Sequence, residues 1–472
     1  MEVVKRDSWG SNFGFLLAAV GSAVGLGNIW GFPYKMGKNG GGAFLVIYLL
    51  LIFIVGLAVM LGELVIGRKT GMGPVGAYKK LSQKYAAIGY MGLVSGFLIL
   101  SFYSVLGGMV MKYMISFFIS LFSPDYFVGV TSANFFSDFI INGWQMVIFC
   151  FLFLFVTTII VMRGVSKGIE KFTIIAMPAL GVLLIVIITY VLFQDNAIEG
   201  LKFMFKPDFS VYSASSDIGF FTVLKTAAGQ MFFSLSLGMG CMITYGSYLK
   251  KNTNLEKNAL IIPIADTLVA LMAGMVVMPA VFAYNLEPNG GPSLLFVSLH
   301  EVFVTGMGGF VGSLMGFMFY LLVFIAAITS SISLLEVCIS YIKDKNQDKG
   351  KIKSTKKPLI VIAVIVLLIG IPVALDGLGS PGAVLAFQPF GYSWLDFYDL
   401  ISEGILMPLG ALIMSLIIGW KFKTKIIKEE VEEGELYRLK GFIFWDICFK
   451  IIVPITMLII LYAQFQDFGI IK

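Results

Sequence analysis

Two apolar stretches of this chain carry residues that an uninterrupted membrane helix has no use for. They are Gly25-Leu26-Gly27-Asn28-Ile29-Trp30-Gly31-Phe32-Pro33 and Ser234-Leu235-Ser236-Leu237-Gly238-Met239-Gly240. Each is expected to unwind in the middle of a membrane-spanning helix. Unwound backbone in lipid leaves N–H and C=O groups unpaired, at a cost of roughly several kcal/mol each. Such a break survives only where the freed groups line a cavity or bind something. A transporter that coordinates ions and substrate with broken helices meets that condition.

The remainder of the chain reads as a polytopic α-helical membrane protein. Of its 472 residues 58% are hydrophobic and 13% charged, and no polar stretch is long enough for a soluble domain. Apolar runs near 13–35, 42–66, 87–121, 143–162, 168–193, 218–248, 257–284, 310–342, 358–375, 391–420 and 442–466 give eleven spans. Several exceed the roughly 20 residues a span needs, so tilt, breaks or extensions are expected. The net charge of +6 matters less than its placement. Basic residues collect in alternate connections: Lys5-Arg6, Arg68 to Lys84, Arg163 to Lys171, Lys250 to Lys257, Lys343 to Lys357 and Lys421 to Lys440. These loops then face the cytoplasm, with the N-terminus inside and the C-terminus outside. Nothing in this charge pattern requires a nucleic-acid partner. Lys5-Arg6 precede a long apolar run without a small-residue cleavage pattern, so no removable leader is expected. Cys150, Cys241, Cys338 and Cys448 lie in apolar runs without metal or redox spacing. A lone His300 argues against a histidine metal centre or a catalytic triad, so an enzyme is not expected.

The breaks fall in the first span and the sixth. An odd number of spans separates them, so two five-helix units would lie in opposite orientations, as in an inverted repeat with the site at its interface. The single transmembrane domain, 1–472, would comprise a first repeat at 1–193, an inverted second repeat at 218–420 and an additional helix at 442–466. Residues 285–309 begin as a turn and continue as an apolar helical stretch suited to an outer lid. Residues 344–357 read as a solvated cytoplasmic loop.

Several side chains carry chemistry. The helix that restarts after the first break points its N-terminus at the gap, which favours an anion such as a carboxylate. Asn28 offers an amide oxygen for a hard cation, although such glycines also serve close helix packing. Thr329 and Ser330 put two hydroxyls on one face of span eight, where back-bonding to the preceding turn is the ordinary alternative. Asp266 is an acid deep in span seven, which requires a cation or a proton. Glu63 reads as a structural partner of unwound backbone, and Glu336 is open. Tyr103 either donates to an anion or simply packs.

At Trp9, Gly25-Leu26-Gly27-Asn28, Phe32-Pro33, Asn39-Gly40-Gly41-Gly42-Ala43-Phe44 and Ser234-Leu235-Ser236 the chain resembles the neurotransmitter:sodium symporter family, in its bacterial amino-acid transporter branch with the leucine-transporter-like fold. The resemblance runs from Lys5 to about Trp420 and continues more weakly to the end. It implies an all-α membrane protein with a five-plus-five inverted repeat, unwound helices 1 and 6 and an eleventh helix, in the bacterial inner (plasma) membrane. It implies two Na⁺ sites. One uses the Ala23 carbonyl, Asn28, Ser234, Asp266 and the substrate carboxylate. The other uses the carbonyls of Gly21, Val24 and Ala326 with the hydroxyls of Thr329 and Ser330. The substrate carboxylate would meet the amides of Leu26 and Gly27 and the Tyr103 hydroxyl. The amine would meet carbonyls of Ala23, Phe233 and Ser234 and the Ser236 hydroxyl. Ile99, Phe233, Met239 and Leu334 would surround the side chain, and Ser330 also counts among the substrate-binding residues. That apolar lining suits a bulky hydrophobic or aromatic amino acid, and Met239 is adaptable.

The departures from the family pattern are as informative. Asp266 stands where chloride-dependent relatives recruit Cl⁻, so chloride independence and proton antiport on the return step are expected. Gly31 replaces the usual outer-gate arginine, while its acidic counterpart remains as Asp399. Lys35, one turn outward, could reach Asp399 or stay solvated. An inner gate of Arg6 and Trp9 against Tyr248 and Asp344 is implied. Gly168 and Pro178 mark a place where span five could unwind for inward release. The expected function is thus a sodium-coupled amino-acid symporter working by alternating access. The alternative is a substrate-binding membrane sensor on the same scaffold, and paired gates argue against a channel.

Overall fold

The computed structural model describes residues 7–213, 218–284, 286, 293–348 and 354–467. Helices dominate it; the β pairing among the described residues is an isolated bridge between Gly41 and Pro207. The bent pair α1 (Asn12–Ala23) and α2 (Gly27–Lys38) comes first, followed by α3 (Gly42–Thr70), α4 (Gln83–Ser120), α5 (Gly143–Met162) and α6 (Val165–Leu192). The second half holds α7 (Phe220–Ser234), α8 (Cys241–Gly246), α9 (Leu255–Ala283), α10 (Gly309–Gln347), α11 (Lys356–Gly379), α12 (Trp394–Lys421) and α13 (Phe442–Gln466). These helices are apolar nearly all round, because one face meets lipid and the other meets protein.

Among the described residues nine helices are long and apolar enough to cross a membrane, and α1 with α2, bent by 50°, makes ten. Eleven apolar runs were expected. The run at 218–248 falls short by this measure because it is split into α7 and α8, neither long enough alone. The first break lies at Val24 and Gly25, slightly before the expected Gly25–Gly27; Val24 has ψ 109° and ends α1. The second occupies Leu235–Gly240, with positive φ at Ser236, Gly238 and Gly240.

Three other details differ from, or add to, the sequence reading. Residues 344–347, expected in a solvated loop, continue α10, and Asp344 is buried. Helix Leu294–Met307 forms the apolar helical stretch expected within 285–309, while 285 and 287–292 lie outside the described residues. Helix α6 is wound through Pro178 in this conformation, with a wide π turn at Val165–Glu170. Helices α4 and α10, third and eighth in the order of spans, pack along one another in the middle of the molecule. Both breaks face this pair.

Candidate functional site

The site begins with Asp266 on α9, which has no exposed surface. Its Oδ1 accepts from Asn28 Nδ2 at 2.7 Å and its Oδ2 accepts from Ser234 Oγ at 2.7 Å. One acid thus joins the restart of the first broken helix to the end of α7. Asn28 Oδ1 in turn accepts from the Gly25 N–H at 2.9 Å, which occupies a backbone donor freed by the break. Neutral donors alone do not offset a buried carboxylate charge, so this arrangement suits a cation or a proton. The described residues contain no cluster of three His, Cys, Asp or Glu for a transition metal. Carbonyls, hydroxyls and one carboxylate form a hard-oxygen set appropriate to Na⁺.

A second group of oxygens converges where α1 ends against α10. Ser330 Oγ donates to the carbonyls of Ser22 and Val24, both at 3.1 Å. Thr329 Oγ1 lies 2.9 Å from Ala326 O and 3.5 Å from Val24 O. Thr329 therefore back-bonds to its own helix, as an ordinary buried threonine does, and still faces the broken end of α1. Gly21 adjoins it: an added Cβ would lie 3.3 Å from Thr329 Cβ. Val24, Ala326, Thr329, Ser330 and Gly21, named from sequence, thus lie together.

Between the two groups is a small, nearly closed cavity. Ala23, Gly27, Ile99, Tyr103, Phe233, Ser236, Met239, Ser330 and Leu334 line it, together with Ser22 and Gly25. Leu26 and Ser234 do not line it. The Leu26 N–H donates to Tyr103 OH at 3.0 Å, leaving the phenolic hydrogen to point elsewhere, and Ser234 is turned to Asp266. Ser236 Oγ donates to Ser22 O at 2.8 Å, tying the two breaks together. Glycine is required at 25, where a Cβ would lie 2.4 Å from Ser330 Oγ and 2.6 Å from Tyr103 OH. Glu63 takes the structural role read from sequence: its Oε1 accepts from Gly238 N at 2.7 Å in the second break.

At the end of the bundle where the N-terminal segment lies, the chain is closely packed. Trp9 is buried, and its Nε1 donates to Tyr245 O at 3.0 Å while its N–H reaches Tyr248 O at 3.4 Å. Asp344 Oδ2 accepts from Gly73 N at 2.8 Å. Arg6 lies outside the described residues. At the opposite end of the bundle, an open vestibule is lined by Lys35, Asp399 and Glu403 among others. Lys35 Nζ is 3.4 Å from Glu403 Oε1, one turn beyond the Asp399 expected from sequence.

Sequence reasoning missed Glu403, Ser22, Gln230 and Tyr48. Gln230 Nε2 donates to Gly27 O at 2.7 Å, filling an acceptor that the break exposes. An amide one helical turn before Ser234 in an apolar run was the available signal. Tyr48 is fully buried with no hydrogen-bond partner for its hydroxyl among the described residues, and nothing in its aromatic neighbourhood in the sequence distinguishes it from packing.

The model of the sodium:neurotransmitter symporter family matches residues 6–124 and 134–471. An uncharacterized sodium-dependent transporter of Bacillus subtilis is 35% identical over 468 residues, covering 98% of each chain. Another, from Haemophilus influenzae, is 34% identical over 472 residues, covering 97% of each. The crystal structure of MhsT in complex with L-phenylalanine is similar to this chain with a TM-score of 0.86 at 39% identity, covering 98% of this chain and all of that one. These similar proteins are transporters and not enzymes, and the MhsT structure shares this chain's helical fold. With its family model matched over nearly the whole length, this multi-pass membrane protein belongs to the sodium:neurotransmitter symporter family.

Proposed function

We propose that the chain imports a bulky hydrophobic or aromatic amino acid, driven by Na⁺, through alternating access. The observation that carries this reading is the cavity between the two breaks, apolar on one side and flanked by Asp266 and its hydroxyl and amide partners on the other. In this reading Asn28, Ser234, Asp266 and the Ala23 carbonyl hold one Na⁺, completed by the substrate carboxylate. Gly21, Val24, Ala326, Thr329 and Ser330 hold the other. The amides of Leu26 and Gly27 and the Tyr103 hydroxyl receive the carboxylate, at the positive end of the restarted helix. Carbonyls at Ala23, Phe233 and Ser234 and the Ser236 hydroxyl receive the amine. Ile99, Phe233, Met239 and Leu334 contact the side chain and offer no partner for a charged one. The solved relative was crystallised with L-phenylalanine, which belongs to the class such a lining suits.

In the same reading, ion binding favours the state open to the outside and substrate closes the outer path. Trp9, Tyr248, Asp344 and Arg6 hold the inner closure, and Lys35 with Asp399 and Glu403 holds the outer one. A fixed acid at Asp266 removes the need for chloride. Once Na⁺ leaves, a proton is the remaining way to neutralise that acid during the return step. The N-terminus and the lysine-rich connections face the cytoplasm.

Uptake of labelled amino acids into proteoliposomes, with Na⁺, Cl⁻ and pH varied in turn, tests the proposal. Accumulation of phenylalanine, leucine or a similar amino acid against its gradient, dependent on Na⁺ and indifferent to Cl⁻, is expected. Saturable binding without accumulation would favour the sensor.

A further inference from the structure

Glu336 on α10 has no exposed surface, yet it is not part of the cavity or of either cation group. Two donors share its Oε1. Tyr248 OH, just beyond α8, donates at 2.6 Å, and Lys343 Nζ lies at 2.6 Å. Lys343 is two helical turns further along α10, on the same face as Glu336, and its side chain is only 17% exposed. The same ammonium lies 5.6 Å from the centre of the Tyr248 ring and 3.5 Å from Asp7 Oδ2 in the segment leading to α1. One lysine therefore touches three parts of the molecule: α10, the end of α8 and the N-terminal segment.

These contacts differ in what they cross. The Lys343–Glu336 pair lies within one helix. Tyr248–Glu336 and Lys343–Asp7 run from α10 to the two pieces that must separate from it if the inner path opens. We infer that Lys343 is a positioning residue of the inner closure: it is the resident counter-charge of Glu336, fixing that carboxylate to receive Tyr248, while its second contact holds Asp7. On opening, Tyr248 and Asp7 leave together and the ion pair stays behind. Glu336 is then never a bare charge in either state, which is what a buried carboxylate requires. This inference rests on the alternating-access reading above. It also gives a role to Glu336, for which the sequence supplied none.

The test uses the full-length protein in liposomes with a reporter, Ala18→Cys, at a buried position on α1. A membrane-impermeant thiol reagent is applied from the cytoplasmic side. Lys343→Met alone strands Glu336 and weakens its hold on Tyr248, so labelling is expected to rise about tenfold. Combining it with Glu336→Gln removes the stranded charge and is expected to return labelling to within about threefold of the reporter parent. Lys343→Arg, which keeps the charge, is expected to stay near the parent. Parental labelling in Lys343→Met, or a double variant no better than the single one, overturns the inference. If Lys343→Met fails to fold but the double variant folds, the coupling is upheld. If both fail while Glu336→Gln alone behaves as the parent, it is overturned. An absence of Na⁺-driven uptake by the parent would refute the transport reading and leave this labelling comparison intact.

Discussion

A carboxylate without exposed surface needs a cation or a proton, and the side chains donating to Asp266 are a neutral amide and a hydroxyl. That imbalance is the strongest chemical statement any single residue here makes. Replacing the acid by its neutral isostere keeps the shape and removes the charge. Asp266→Asn is therefore expected to lower apparent Na⁺ affinity in uptake by roughly 100-fold, the equivalent of about 3 kcal/mol. Chloride should restore part of that loss by supplying the missing negative charge. Normal uptake by Asp266→Asn without chloride would remove Asp266 from the ion site. At this scale the sequence was most legible where chemistry is unusual for its surroundings. Asp266, Thr329 and Ser330 are conspicuous in apolar helices. Ser22 accepts through its carbonyl, which every residue possesses, so only its position in space identifies it.

At the scale of elements, the outer helix Leu294–Met307 shows how a buried polar group pins a connection. His300 lies within it, unexposed, with Nδ1 2.7 Å from Ser132 Oγ on helix Ser132–Ile141. Ser132 also donates to Glu301 Oε2 at 2.6 Å. The rings of Tyr113, Phe117, Phe127 and Phe135 surround the imidazole at 4.9 to 5.4 Å. Burial holds its pKa down to about 4, against the lesser upward pull of Glu301. A lowered histidine value means that the folded arrangement favours the neutral ring. The resulting stabilisation is present above the ordinary value near 6.5 and is lost as pH falls toward 4. Docking of this helix should thus weaken by up to roughly 3 kcal/mol between those limits. Hydrogen exchange at 294–307 should quicken as pH falls from 7 to 4, and His300→Phe should lessen that response. Exchange unchanged over this range would refute it. The helix itself was readable from its apolar run, but its partner Ser132 was not, because 168 residues separate them.

At the scale of the whole molecule, Arg68 shows how distant connections are held together on the side assigned to the cytoplasm. It sits near the end of α3 and is buried with Glu430 of helix Lys425–Val431, Nε to Oε1 at 2.8 Å. Its Nη1 also donates to Thr253 O at 2.6 Å, beyond α8, and its Nη2 donates to the Glu430 carbonyl. Removing one partner of such a pair strands the other charge. Lys251, 3.0 Å from Glu430, would partly offset that loss. Arg68→Met is expected to destabilise by about 2–3 kcal/mol, seen as a Tm lower by several degrees in detergent. The double change Arg68→Met with Glu430→Leu should be milder, because neither charge is then left alone. Equal losses in both variants would argue against the pair.

The sequence by itself determined that this chain is a bundle of apolar helices, that two of them break, and that an acid and several hydroxyls lie where lipid alone could not tolerate them. Those conclusions follow from local composition, because the cost of burying polar groups is paid residue by residue. Only the tertiary structure decided which groups meet. It set Lys35 beside Glu403, extended α10 through Asp344, and gave Glu336 both Tyr248 and Lys343. Helical periodicity places a side chain on a face, but the rotation and depth of each helix against its neighbours decide which partner that face meets.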